Sequence, residues 1–290
     1  MRAAAIAGPG EIARPLAAFQ SITGLDWSAH ISEDTQAAVI FGGDGTVHRY
    51  LSALSERKIP TLVVPCGSGN DFARALGIKS TKDSLAAWRA FVASADNVRT
   101  IDLGLIRCPG AHEPPDPHFA SWGAHFFCCV AGVGIDTEVA RKANRLPSWL
   151  RSHGGYALLA PREFIRFAPF AMKIETNGQH DGFHPTILAA IANAPAYGGG
   201  MKIAPQAKLD DGRLDLCVVR AMNRFKLFCL FPTVYFGRHV GMKEVEYSQT
   251  EIVRIETEYP LDVYADGEYI CKTPVELGVA RNALTVIVPI

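Results

Sequence analysis

The sequence predicts an α/β domain built on a parallel sheet, followed by an antiparallel β-sandwich. Three observations carry that expectation. In the first hundred residues short apolar runs alternate with helical patterns, the signature of stacked β-α units. Two of those runs feed glycine-rich turns that open helices. After residue 120 strand patterns dominate, and Asn177-Gly178 and Asp266-Gly267, dipeptides that accept positive φ, mark hairpins. A length of 290 residues suggests two domains, placed here at 1–120 and 121–290.

Taken in order, Ala37–Phe41 (AAVIF) is expected as a buried strand and Thr46–Glu56 as a helix capped by Thr46. Thr61–Val64 is the next strand, Asn70–Leu76 a short helix, Ser84–Val92 a longer helix, and Thr100–Ile106 a closing strand. A doubly wound open sheet accommodates them. Cys108–His118 (CPGAHEPPDPH) holds too many prolines for a helix interior or a central strand and reads as a surface loop near the domain boundary. Beyond it, strands are expected at His125–Ala131, Ala171–Thr176, Thr186–Asn193, Leu214–Arg220, Glu251–Glu256, Leu261–Ala265 and Ala283–Pro289. Helices are expected at Thr137–Ala143, Tyr156–Phe167 and Arg224–Tyr235.

Composition narrows the function classes. The 29 Lys and Arg balance 29 Asp and Glu, which argues against a nucleic-acid partner, since bulk phosphate binding shows as excess basic residues. The seven cysteines, with no CxxC spacing, read as reduced thiols, the adjacent Cys128 and Cys129 pointing to opposite faces if their segment is a strand. The N-terminal apolar run reaches Gly8-Pro9 before it forms a signal-peptide core. The stretch Phe126–Ile135 is far below the ~20 residues a membrane span needs. A soluble, cytoplasmic protein is expected.

The segment Phe41–Leu54, FGGDGTVHRYLSAL, is a strand feeding a Gly-Gly-Asp-Gly-Thr turn that opens a helix. Glycines let backbone N–H groups approach a ligand, and the helix N-terminus adds about half a positive charge, which together suit phosphate. Asp44 is unusual there, because a carboxylate repels phosphate unless a cation lies between them or it accepts a hydrogen bond; the combination suggests a nucleotide phosphate with Mg²⁺. Gly-rich βα turns also occur without ligands. A second turn, in Leu62–Ile78 (LVVPCGSGNDFARALGI), repeats the pattern and places Ser68 and Asn70-Asp71 beside the first if the two strands are neighbours. Two such loops at one sheet edge form a crevice of the kind that binds ligands.

Gly42–Thr46 (GGDGT), followed by Pro65–Arg74 (PCGSGNDFAR), resembles the diacylglycerol kinase catalytic-domain family, which includes bacterial lipid kinases and the sphingosine and ceramide kinases. Val130–Arg145, Tyr197–Val219 and Asp266–Val279 are similar to that family's C-terminal signatures, in order. The resemblance implies an α/β N-terminal nucleotide-binding domain with a C-terminal β-sandwich, and transfer of the ATP γ-phosphoryl group to a lipid hydroxyl in the cleft between them. By motif position it implies that Gly43, Asp44, Gly45, Thr46, Val47, His48 and Arg49 line the nucleotide phosphates, with Ser68 adding a hydroxyl. Glu268, in the Asp-Gly-Glu triplet, becomes the general base that takes the lipid hydroxyl proton. The resemblance further implies a cation, Mg²⁺ or Ca²⁺, at the Asp211 carboxylate with the backbone carbonyls of Lys208 and Arg213; the alternative is an ordinary Asp-Asp-Gly turn.

Two departures stand out. The family usually has Asn-Glu where this chain has His48-Arg49, and Ala7-Gly8-Pro9-Gly10 replaces an Asn-Pro-x-x-Gly turn. A non-catalytic nucleotide-binding regulator and a soluble-substrate kinase of the NAD kinase type therefore stay open. Arg224–Val240 (RFKLFCLFPTVYFGRHV) has the composition of an interfacial helix, compatible with transient contact between the protein and a membrane surface; the expectation taken is a core helix broken at Pro232. A homodimer is compatible with the sequence.

Overall fold

The computed structural model of the chain describes residues 1–8, 13–22, 24–108, 124–143, 167–180 and 182–290. The expected helix at Tyr156–Phe167 lies outside these apart from Phe167, as do all but Cys108 of the proline-rich segment and the boundary expected near residue 120.

The first lobe contains β1 (Arg2–Ala7), α1 (Ala13–Gln20), β2 (Asp26–Ser28), β3 (Ala37–Gly42), α2 (Asp44–Arg57), β4 (Thr61–Pro65), α3 (Asp71–Ala75), α4 (Thr81–Ser94) and β5 (Val98–Arg107). The second begins with β6 (Ala124–Phe127), β7 (Val130–Gly134), α5 (Ile135–Ala143), β8 (Phe170–Thr176), β9 (Gln179–His180), β10 (His184–Ala192) and β11 (Leu214–Arg220). It continues with α6 (Arg224–Tyr235), a 3-10 turn at His239–Gly241, β12 (Val245–Thr250), β13 (Ile252–Thr257), β14 (Asp262–Ala265), β15 (Glu268–Lys272) and β16 (Val275–Ile287).

In the first lobe β2, β1, β3, β4 and β16 lie side by side in that order, each pair parallel. β3 is buried along its whole length, as a strand covered on both faces must be, and its apolar run AAVIFG follows from that position. α2 packs Val47, Leu51 and Leu54 against the core. It starts two residues before the expected Thr46: Gly43 is the cap and Asp44 occupies the first turn, where a carboxylate faces the positive end of the helix. α4 likewise starts earlier, because the Ser80 side chain accepts the Asp83 N–H and caps it.

Among the described residues the strands of the second lobe pair with one another antiparallel, and the inward side chains form a sandwich core that includes Phe127, Val133, Met172, Ile191, Val218 and Val263. β10 and β11 serve two cores at once. Ala189 and Ile191 face the sandwich interior, while Leu188, Ala190 and Ala192 join the cluster continuous with the first lobe. The period of two along a strand makes that division.

β16 joins the lobes. Its first residues pair with β13, Glu276–Ala280 and Leu284–Ile287 pair antiparallel with β5 on either side of an irregularity, and Val286 pairs with Thr61 of β4. The sequence expectation of a strand at Ala283–Pro289 therefore captured only its end. Three further expectations are corrected. The strand expected at His125–Ala131 is interrupted by a bend at Cys128-Cys129, where the backbone amides turn to a carboxylate instead of a neighbouring strand. α6 runs through Pro232 unbroken, because the face carrying Leu227, Leu230 and Val234 is anchored in the core while the proline sits on the exposed side. Not all cysteines are free thiols: Cys108 and Cys271, 163 positions apart, form a disulfide. The antiparallel order brings the end of β5 and β15 together over the sandwich core, a proximity that spacing along the chain cannot show.

Candidate active site

The two glycine turns do lie together, since β3 and β4 pair in register from Ala38↔Thr61 to Gly42↔Pro65. Their backbones touch. A Cβ placed on Gly43 would stand 2.9 Å from the Cα of Gly67, so neither turn tolerates a side chain at the contact. Asn70, held at φ 54°, closes the second turn by accepting the Gly67 N–H at 2.8 Å and donating to the Gly67 carbonyl at 2.7 Å.

Asp44 ties the first turn to the second. Its carboxylate accepts the N–H groups of Asp71 (3.1 Å) and Phe72 (3.0 Å), satisfying donors at the start of α3. Burial, and after it the neighbouring Asp71 carboxylate, push the Asp44 pKa up to about 6, against the lowering pull of those two hydrogen bonds. Asp71 is itself buried and raised by that burial; it accepts the Gly199 N–H at 2.7 Å and pairs with Arg74 at 2.9 Å. Gly199 belongs to the second lobe, so Asp71 is a polar clasp across the cleft.

The Asp266-Gly267 turn between β14 and β15 is the other clasp. The Asp266 side chain is wholly buried, and its two oxygens accept the N–H groups of Cys128 (2.9 Å), Cys129 (2.8 Å) and Val130 (3.3 Å). His48 Nδ1 of α2 lies 3.0 Å from Asp266 Oδ2. One carboxylate thus holds the hairpin, the 128–130 bend and α2 in a fixed relation. Its consequence is the placement of Glu268: a Cβ built on Gly45 would stand 3.1 Å from Glu268 Oε1, so that exposed carboxylate lies directly over the first glycine turn.

The residues expected at the phosphates are distributed as follows. Gly43, Asp44, Gly45 and Thr46 form the turn and first helical residues beneath Glu268. Val47 is 1% exposed and packs in the core, so it offers only its backbone to the cleft. His48 is buried with its ring on Asp266, and Arg49 is exposed on α2. Ser68 is exposed at the tip of the second turn. Lys208, Asp211 and Arg213 belong to a different place, the loop before β11. There the buried Asp102 of β5 accepts the N–H groups of Gly212 (2.7 Å) and Asn282 (2.8 Å) and clamps the loop. Asp211 accepts the Arg213 N–H, and Gln249 bridges it to Asp215, whose carboxyl is raised by burial.

Sequence reasoning missed the roles of Asp71, Asp266 and Asp136. Asp136, at the start of α5, has its pKa pushed up to about 7 by burial. Asp71 and Asp266 bind Gly199 and His48, more than a hundred positions away, which no local pattern marks, whereas Asp136 accepts the N–H of the adjacent Thr137 and is set apart by its burial. Cys128, Cys129 and Asp266 stand close enough to share an ion. Burial pushes the Cys128 thiol up to about 12, and Cys129 is raised well above its ordinary value by its bond to Cys128 and by burial. The carboxylate is already filled with N–H donors and acts as an anchor for the 128–130 bend.

A parallel α/β lobe with paired glycine turns, facing a sandwich that lowers an acid onto them, defines a phosphotransferase class of site. Residues 21–106 match the model of the diacylglycerol kinase catalytic domain, and residues 129–288 match the YegS C-terminal NAD kinase β-sandwich-like domain. The chain is 34% identical over 262 residues to a diacylglycerol kinase of Mycobacterium tuberculosis, covering 90% of this chain and 80% of that one. In fold it is similar to a crystal structure of a diacylglycerol kinase from Bacillus anthracis (TM-score 0.65, 19% identity, 99% and 96% of the two chains). It is also similar to that of an NAD kinase from Archaeoglobus fulgidus in complex with ATP (TM-score 0.56, 15% identity, 99% and 93%). The chain belongs to the diacylglycerol kinase family of lipid kinases. Among the described residues no helix is long and apolar enough to cross a membrane.

Proposed function

We propose that the protein transfers the γ-phosphoryl group of ATP to the hydroxyl of a lipid alcohol such as diacylglycerol, working between lobes at 1–120 and 121–290. The observation that carries this reading is the Glu268 carboxylate poised over Gly45 at the mouth of the glycine turn. Nucleotide phosphates lie along Gly43–Thr46 and the Ser68 turn, where free backbone N–H groups at the start of α2 neutralise them. The lipid hydroxyl oxygen attacks the γ-phosphorus in line. The new O–P bond forms as the bond to the bridging β,γ-oxygen breaks, ADP leaves, and the hydroxyl proton passes to Glu268. Exposure suits Glu268 to that task, because its carboxylate opens on the cleft where the hydroxyl would approach.

Asp44 and Asp71, two acids each raised by burial, with the Asp71 charge adding to the cost of ionising Asp44, fit a cation between them and the phosphates. Mg²⁺ carried in with the nucleotide would be held there and would neutralise charge developing on the phosphoryl oxygens. A second cation is proposed at the clamped loop, on Asp211 with the carbonyls of Lys208 and Arg213, in a structural part; the adjoining Asp215 and the hard oxygen donors suit Mg²⁺ or Ca²⁺.

The test is transfer of labelled phosphate from ATP to a panel of lipid alcohols with Mg²⁺. Wild-type protein is expected to label at least one. Glu268→Gln is expected to lose on the order of 10²–10⁴ in kcat while binding ATP as wild type does. Nucleotide binding with no transfer to any acceptor would overturn the reading, and equal turnover by both proteins would remove Glu268 from its role.

A further inference from the structure

α6 buries one side and leaves the other unpartnered. Leu227, Leu230 and Val234 enter the core, and Asn223 caps the helix by accepting the Lys226 N–H at 2.8 Å. On the outward side Phe225 is 77% exposed and Phe228 53%, and Phe236, just past the helix, is 72% exposed. These are large apolar groups held in water, and a stripe of them is a surface awaiting an occupant.

Charge identifies the occupant. From Ala221 to Lys243 the chain has no Asp or Glu, although the molecule as a whole is neutral. Arg224, Lys226, Arg238 and Lys243 are all exposed around the aromatic stripe. Lys226 pairs with Glu244 at 2.6 Å, whereas Arg224 and Arg238 carry no ion pair among the described residues. Aromatic side chains ringed by unneutralised cations match an anionic bilayer surface, with rings entering the acyl boundary and guanidinium groups staying at phosphate level. A second protein chain would have to bring acids of its own to the same ring; a neutral chain with matched charges offers this face no obvious excess.

Position supplies the second argument. The C-terminal end of α6 abuts the site: the Val234 carbonyl accepts the Lys202 N–H at 3.1 Å, and the Tyr235 phenol is raised by burial and then by the Asp71 charge. Asp71 also receives the Gly199 N–H, so helix end, Gly199 turn and glycine turns share one rim. We propose that Phe225, Phe228 and Phe236, with Arg224 and Arg238, form a membrane-docking face that seats the rim of the catalytic cleft on an anionic bilayer. The docking itself needs only this surface; its use in catalysis rests on the lipid-kinase reading.

Sedimentation with vesicles of phosphatidylcholine containing phosphatidylglycerol, and with phosphatidylcholine alone, tests it. Wild-type protein is expected to bind the anionic vesicles and to release as salt is raised. Phe225→Ser with Phe228→Ser and Phe236→Ser is expected to weaken that binding on the order of tenfold or more. Arg224→Glu with Arg238→Glu should abolish the preference for anionic vesicles. Phe225→Trp gives a readout independent of the triple variant's folding, a blue shift and quenching by brominated lipid when anionic vesicles are added. Activity of the triple variant on a short-chain lipid alcohol dispersed as monomers should equal that of wild type, and its absence in both proteins would sink the kinase reading without touching the docking result. Equal vesicle binding by wild type and triple variant would overturn the proposal. So would a dimer in wild type that the triple variant dissociates with vesicle binding unchanged, which would give the face to a second copy.

Discussion

The chain reverses twice through the same pair of left-handed residues: Asn177-Gly178 between β8 and β9 (φ 50° and 76°), and Asp266-Gly267 between β14 and β15 (φ 50° and 88°). Backbone shape is shared, and so is the sequence signal, yet the two turns do different things. Asn177 is exposed, and its side chain has a single long contact, the Thr250 hydroxyl at 3.4 Å. The Asp266 side chain is wholly buried and gathers three backbone N–H groups and a histidine ring. A turn becomes part of a site through what its first residue can collect from elsewhere. Here that collection comes from α2 and from the Cys128–Val130 bend, both remote in sequence.

The largest way to break the contrast is Asp266→Ala. Removing the acceptor leaves buried N–H groups unpaired, and the expected loss is about 3–5 kcal/mol in chemical denaturation, with phosphotransfer gone. Glu268→Gln, two residues on, should leave stability within about 0.5 kcal/mol and strike only turnover, because that carboxylate is exposed. His48→Ala removes one partner of the Asp266 carboxylate and should cost about 1–3 kcal/mol, with a fall in kcat as the hairpin loses its brace to α2.

Asp44 gives a pH test at the opposite clasp. Its pKa is raised in the folded state to about 6, from an ordinary 3.8. A raised carboxyl stabilises the fold below its unfolded pKa and loses that contribution as pH rises through the folded value. Wild-type stability measured relative to Asp44→Asn should therefore decline between about pH 4 and 6 and level off above. A flat difference across that window would mean the acid is not held in a raised state. The smallest effect is at the outer turn, where Asn177→Asp should change stability by less than about 0.5 kcal/mol and leave activity unaltered. That variant has the same Asp-Gly signal in a place without donors; a large effect there would dissolve the contrast.

What the sequence revealed of the site follows the same division. The glycine turns and both hairpins were legible because each is dictated within four or five residues, by the need for positive φ or for backbone approach at Gly43 and Gly67. Leu214–Arg220 and Arg224–Tyr235 were placed with the observed bounds, since apolar runs with clear polar limits leave little choice. The partners of Asp71 and Asp266 were not legible, because hydrogen bonds to residues more than a hundred positions away leave no local trace. β12 and β15 were missed for a related reason. Val245–Thr250 and Glu268–Lys272 are half exposed and polar, and they are strands because a neighbouring strand supplies their hydrogen bonds. The Cys108–Cys271 pair belongs with them, being set by topology alone.

β16 carries a consequence for how the molecule is made. β4 is laid down early, yet the strand beside it comes from Val275–Ile287, and the Asn97 side chain that closes this corner bonds to the Val288 carbonyl. During synthesis the first lobe must wait with that edge of its sheet open until the sandwich has emerged and handed the strand back. A fragment ending near residue 120 would keep that exposed apolar edge permanently, so the lobe that holds the glycine turns is not a module that can be excised and used alone.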